Sequence, residues 1–86
     1  MSSLGVALVT GASKGIGRAI ALRLAKDGFD VGINDLPAAR NGLESLRAQI
    51  KEKGRKSAIA VGDVSMQRDV ENMVSSVVND LGRLDV

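Results

Sequence analysis

Residues 10–17 read Thr10-Gly11-Ala12-Ser13-Lys14-Gly15-Ile16-Gly17. An apolar run, Val6-Ala7-Leu8-Val9, leads into this stretch, and a helix-like pattern follows it directly. Three glycines at a strand-to-helix junction let backbone N–H groups approach an anion closely. The N-terminus of the following helix adds partial positive charge, which suits a phosphate. Each glycine alone is accounted for by a turn that needs positive φ. Their common place at one junction points instead to a phosphate-holding loop of Gly11, Gly15 and Gly17, with Ser13, Lys14 and Ile16 offering backbone N–H groups.

Outward from the loop the pattern alternates between strand and helix. From Gly15 to about Lys26, Ile16, Ile20 and Leu24 recur every fourth residue with Ala19 beside them, which predicts an amphipathic helix. Asp27-Gly28 ends it by the C-terminal glycine device. Asp30-Val31-Gly32-Ile33-Asn34 predicts a second strand with Asp35 at its carboxyl end. Leu36-Pro37 turns the chain into a second helix, expected from near Ala38 to about Lys53 with Leu43, Leu46 and Ile50 as its stripe. Gly42 weakens the start of that helix. Residues 57–61 predict a third strand, and Ser65 is the expected N-cap of a third helix. The third helix presents Val70, Met73, Val74, Val77, Val78 and Leu81 on one face, and Gly82 closes it. A β-α-β-α-β-α order with short connections implies parallel strands and right-handed crossovers. The expected fold class is therefore α/β, a Rossmann-like doubly wound parallel sheet of which only the first half is present, in strand order 3-2-1. Residues 1–86 are expected to form one partial domain.

The composition excludes several function classes. At 86 residues the chain makes one small domain. Such a chain buries only about 60–65% of the surface its unfolded form exposes. It has no cysteine and no histidine, so disulfides, zinc sites and histidine general bases are excluded, and no metal is expected. No apolar run approaches the ~20 residues of a membrane helix. Met1-Ser2-Ser3-Leu4 enters the first strand without the order of a signal peptide, so a cytoplasmic protein is expected. The net charge is +2, with the bases densest from Lys51 to Lys56. That cluster reads as a nucleic-acid patch or as the solvated end of a helix. Without an aromatic platform beside it the second is favoured, and neither nucleic acid nor membrane is an expected partner.

Asp35 lies 18 residues after Gly17, near the offset of about 20 at which an acid binds a ribose 2′-hydroxyl in dinucleotide folds. A carboxylate there repels a 2′-phosphate and so favours NAD over NADP. A turn aspartate before Leu36-Pro37 is the plainer alternative. The common fingerprint is G-x-G-x-x-G, whereas here the glycines fall at 11, 15 and 17 in a T-G-x-x-x-G-I-G pattern. This pattern resembles the short-chain dehydrogenase/reductase family. The resemblance runs the whole length, through Asn34-Asp35, Gly62-Asp63-Val64-Ser65 and Leu81-Gly82-Arg83-Leu84-Asp85-Val86, the last resembling the lead-in to the family's fourth strand.

The resemblance implies a nicotinamide dinucleotide cofactor and, in a full-length chain, a homo-oligomer. It implies that the Thr10 hydroxyl steadies the loop, that Ile16 lies against the cofactor, and that the Asp63 carboxylate and the Val64 N–H close an adenine pocket. Asp63 also reads as a helix cap acting with Ser65. Lys14 resembles a feature of NADP-using members. Leu36, where such members often carry arginine, leaves NAD favoured at that end of the site. The family's Asn-Asn-Ala-Gly segment, its catalytic serine and its Tyr-x-x-x-Lys pair are not within the 86 residues, which contain no tyrosine. No catalytic residue is expected here, and hydride transfer by this segment alone should be negligible.

Leu24-Ala25-Lys26-Asp27-Gly28-Phe29-Asp30-Val31, with Asp35, resembles diacetyl/acetoin reductases within the family. The glycine stretch equally suits a 3-oxoacyl carrier-protein reductase using NADPH. If the chain ended at Val86, a non-catalytic nucleotide-binding or interaction module would be the reading. The first strand would then be an open apolar edge and an aggregation hazard, so a fragment of a longer chain or a piece completed by a partner is expected.

Overall fold

A computed structural model of the chain describes residues 3–86. The continuous apolar run Val6–Val9 is β1, and Asp30–Ile33 and Ser57–Ile59 are β2 and β3. The helices are α1 at Gly15–Asp27, α2 at Arg40–Glu52 and α3 at Gln67–Leu81. All strands are parallel, with β2 in the centre between β1 and β3, so the order is the expected 3-2-1. The register runs from Val6 opposite Asp30 to Val9 opposite Ile33, and from Val31 opposite Ser57 to Ile33 opposite Ile59.

Two apolar layers sandwich this sheet. One packs Ala21 and Ala25 of α1 and Leu43, Leu46 and Ile50 of α2 with Val9, Val31 and Ile33. The other packs Met73 and Val77 of α3 with Val6 and Ala60. Gly32 lets α3 come close, because a Cβ there would lie 2.8 Å from a Val77 methyl group. Among the described residues no helix is long and apolar enough to cross a membrane.

Several expectations need correction. In α1 the inward row is Gly17, Ala21 and Ala25 rather than Ile16, Ile20 and Leu24. Ala21 and Ala25 are buried, whereas Ile16 is 81% and Ile20 47% exposed, Ala19 is exposed and Leu24 is half-buried. Small side chains let the helix lie close on the sheet, and the near contact of Gly17 with the backbone of Gly11 orients that row. The stripe Leu43, Leu46 and Ile50 is wholly buried as its spacing predicts. However, α2 begins after a 3₁₀ turn over Pro37–Ala39, in which the Ala39 N–H donates to the Leu36 carbonyl at 2.9 Å. Pro37 supplies a fixed φ at the first position of that turn.

In α3 only the inner part of the predicted face is core. Val74 and Val78 are 37% and 39% exposed, while Val70 and Leu81 are half-buried. Ser65 is not its N-cap. That position falls to Met66, without a side-chain cap, because the Ser65 hydroxyl donates back to the Asp63 carboxylate at 2.7 Å. The second and third strands end one and two residues earlier than expected.

The first strand is not an open edge. The Asp85 and Val86 N–H groups donate to the Val6 carbonyl at 2.8 and 3.2 Å, and the Leu8 N–H donates to the Val86 carbonyl at 2.9 Å. Val86 thus bridges Ala7 in the parallel manner. The Asp85 carboxylate also accepts the Val6 N–H at 2.9 Å.

Candidate functional site

Gly11 and Gly15 have φ of 61° and 65°, the left-handed region in which an L side chain is strained. A Cβ built on either meets nothing within 4 Å, so both face open space. Gly17 is different. A Cβ there would lie 2.9 Å from the Gly11 carbonyl carbon and 3.2 Å from the Thr10 carbonyl oxygen. The third glycine therefore closes the loop onto itself, while the first two leave a cradle that a side chain would fill. The loop is tied to the sheet through Asn34, whose carbonyl accepts the Ala12 N–H at 2.8 Å and whose N–H donates to the Val9 carbonyl at 2.9 Å.

Above the loop, α1 starts with Lys14 at the N-cap, in extended conformation. No side chain caps this end, and the first turn holds no acid. Its orphan N–H groups and the helix dipole are left to whatever anion enters the cradle. Ser13, Lys14 and Ile16 flank the opening, with Ile16 almost fully exposed at the mouth.

Asp35, at the carboxyl end of β2, is brought against this loop. One oxygen of its carboxylate accepts the Ser13 hydroxyl at 2.6 Å and the Ser13 N–H at 3.2 Å; the other accepts the Leu36 N–H at 2.8 Å. The Ser13 hydroxyl is the main reason, with the Leu36 N–H next, that the carboxyl titrates below the ordinary aspartate value. Lys14 adds a smaller attraction in the same direction. So held, Asp35 is an acceptor of hydrogen bonds rather than a proton donor. Ser13, Lys14, Asp35, Leu36, Ala39 and Gly42 share one cleft of about 490 Å³.

Asp63 and Val64 stand at the carboxyl end of β3, outside the lining of that cleft. They are linked to it through the backbone, since the Gly62 N–H donates to the Asp35 carbonyl at 3.1 Å. The Asp63 carboxylate accepts the Ser65 hydroxyl and N–H, which lowers its titration, so the capping partnership with Ser65 is a local turn. Val64 is exposed. Among the described residues no group of three or more acids is placed to hold a metal ion.

Two residues that brace the site were given no role in it from the sequence. Arg18 donates to the Ser13 carbonyl and the Gly42 carbonyl, both at 3.1 Å, and to the Ser45 hydroxyl at 3.2 Å. It ties the glycine loop to α2, and nothing in the pattern distinguishes it from other surface bases. Asn34 is buried and donates its amide to the Ala60 carbonyl at 2.8 Å and the Gly62 carbonyl at 3.2 Å. A polar residue closing an apolar strand was the available signal. Together these groups can bind an anion at the helix end and accept hydroxyl hydrogens at the rim.

Comparison with known proteins places this geometry. The family model for short chain dehydrogenases matches residues 5–86. A short-chain dehydrogenase/reductase of Armillaria gallica is 59% identical over 81 residues, 94% of this chain and 31% of the relative. A 3-oxoacyl-(acyl-carrier-protein) reductase of Staphylococcus epidermidis is 41% identical over 80 residues, 93% of this chain and 32% of the relative. The crystal structure of an NAD⁺-bound xylitol dehydrogenase superposes with a TM-score of 0.87 at 41% identity, covering 96% of this chain and 31% of that one. The chain thus spans about a third of the length of these relatives. With the glycine loop, the parallel order and a match across nearly all of its residues, the chain belongs to the short-chain dehydrogenase family.

Proposed function

We propose that this segment binds the dinucleotide of an oxidoreductase that moves hydride between a nicotinamide cofactor and a small carbonyl or alcohol. The observation that carries the proposal is the Asp35 carboxylate, held by Ser13 beside an uncapped helix N-terminus and two glycines facing open space. In this reading Gly11, Gly15 and Gly17 shape the cradle and the N–H groups of Lys14 and Ile16 take the pyrophosphate, while the Ser13 N–H stays with Asp35. Asp35 accepts the adenosine ribose hydroxyls with Leu36 beside it, and Asp63 and the Val64 N–H take the adenine. The bound nicotinamide would supply the hydride acceptor or donor. This chain's residues bind and orient it, and none of them is assigned a catalytic role.

The preferred cofactor is NAD, because Asp35 is ionised and a 2′-phosphate would meet its charge at close range. The similarity to an NAD⁺-bound xylitol dehydrogenase supports that preference. Lys14 and the similarity to a 3-oxoacyl-(acyl-carrier-protein) reductase favour a second reading, with NADP and a 3-oxoacyl substrate. The stretch from Leu24 to Val31 favours a diacetyl- or acetoin-like substrate over it.

Titration calorimetry with NAD⁺ and NADP⁺ tests the site. Gly15→Val should remove binding of both, since the side chain enters the cradle; an affinity equal to that of the parent chain sinks the assignment. Asp35→Ala should weaken NAD⁺ about tenfold, the worth of one charge-assisted hydrogen bond, and raise the relative affinity for NADP⁺. An unchanged ratio removes Asp35 from the site.

A further inference from the structure

A second concavity, of about 720 Å³, lies away from the glycine loop along the outer edge of β3. Arg40, Arg47, Lys51 and Lys56 line it, against Asp80 as its single acid. Arg40, Arg47 and Lys51 are spaced by seven and four residues, which keeps them on one face of α2 beside the strand. The Arg47 guanidinium lies 4.0 Å from Glu44 with both side chains exposed, a pair too long and too wet to cancel its charge. Arg55 also lines the groove, but it is engaged with Asp30 at 3.2 Å and with the Gly28 carbonyl at 3.1 Å.

The floor of the groove is backbone. The Val31 N–H donates to the Lys56 carbonyl, and the Ala60 N–H donates to the Ile33 carbonyl, both at 3.0 Å. In this parallel register the groups of residues 56, 58 and 60 face β2. The N–H and C=O groups of Ser57 and Ile59 therefore face outward, toward the groove. On the opposite edge, β1 already carries Asp85 and Val86. Among the described residues nothing pairs with the outer side of β3.

We propose that the β3 edge and the basic face of α2 form a docking groove for an extended acidic segment of a partner polypeptide, added to the sheet as a further strand. Strand addition satisfies the outward donors and acceptors of Ser57 and Ile59 together. A polypeptide backbone carries N–H and C=O groups at this spacing, whereas phosphate groups offer no donor to the two carbonyls. The groove also lacks an aromatic platform for bases, since Phe29 is the chain's single aromatic residue and does not line it. A second copy of this chain would set the same cations against each other. From Arg40 to Lys51, α2 rises about 16 Å, the length of about five strand residues. Carboxylates at alternate positions of the segment would face α2, while the positions between them face Asp80 and stay uncharged.

The test is an amide chemical-shift titration of the chain with a capped peptide of about six residues, alternating glutamate and threonine. The Ser57 and Ile59 amide signals should shift together. Affinity should fall at least about tenfold in the double variant Arg47→Glu, Lys51→Glu, whose folding is checked by circular dichroism. A peptide with alternate backbone nitrogens methylated, or with lysine for glutamate, should not bind. The proposal is overturned if the Ser57 and Ile59 amides stay unmoved, or if the methylated peptide binds equally well. It is overturned too if a single-stranded RNA displaces the peptide at equal concentration, which makes the groove a general anion surface.

Discussion

Ser13 and Asp35 form the bond on which the character of the rim depends. A carboxylate whose folded pKa is depressed adds stability that is present above its unfolded value, near 3.9, and is lost as pH falls through the folded value. Asp35 is such a group, chiefly through the Ser13 hydroxyl. Ser13→Ala should therefore raise the Asp35 titration toward the ordinary aspartate value. Carboxyl carbon chemical shifts followed from pH 6 to pH 2 would measure it. A titration identical to that of the parent chain would show that the Leu36 N–H and the remaining contacts suffice. That Asp35 would stand beside the loop was legible from its distance beyond Gly17. Its donor was not, because a serine inside a glycine loop carries no mark of which acid it will face.

At the scale of elements, Asn34 joins the ends of β2 and β3 and underlies the site. Its amide serves the carbonyls of Ala60 and Gly62 from a buried position. Asn34→Leu keeps the branched shape of the side chain but takes that donor away. The expected cost is about 1–3 kcal/mol, read as a lower urea midpoint with an unchanged slope. A midpoint within error of the parent would mean that the two carbonyls find other donors.

The helices differ in how well their patterns predict packing. In α2, Leu43, Leu46 and Ile50 are the large apolar residues of one face, and all three are core. In α1 two adjacent rows compete. Ile16, Ile20 and Leu24 are larger, yet Gly17, Ala21 and Ala25 face the sheet. Close approach to the loop selects the small row, and hydrophobic size alone points to the wrong one. In α3 Met73 and Val77 are core, while Val74 and Val78 on the same face stay exposed.

At the scale of the whole molecule, the chain's last residues protect its first strand. Asp85 and Val86 hold the Val6 carbonyl, the Val6 N–H and the Leu8 N–H. Removing residues 84–86 should uncover an apolar edge and speed aggregation, seen as rising light scattering at a concentration where the parent stays clear. Equal scattering would mean that side chains on either face of β1 guard it sufficiently. The opposite edge is guarded differently, by the cations of α2, and that difference leaves β3 open to a partner of opposite charge.

The order of strands and helices, the parallel sheet, the position of the glycine loop and the family were determined by the sequence alone. All but the family rest on local chemistry: glycine's tolerance of positive φ, the periods of strand and helix, and apolar runs of strand length; the family rests on the resemblance of whole motifs. Tertiary structure decided which row of α1 is buried, where α3 starts, which hydroxyl holds Asp35, and how Arg18 and Asn34 brace the loop. Each of these depends on groups distant in the chain meeting at one point, and local pattern does not encode that meeting.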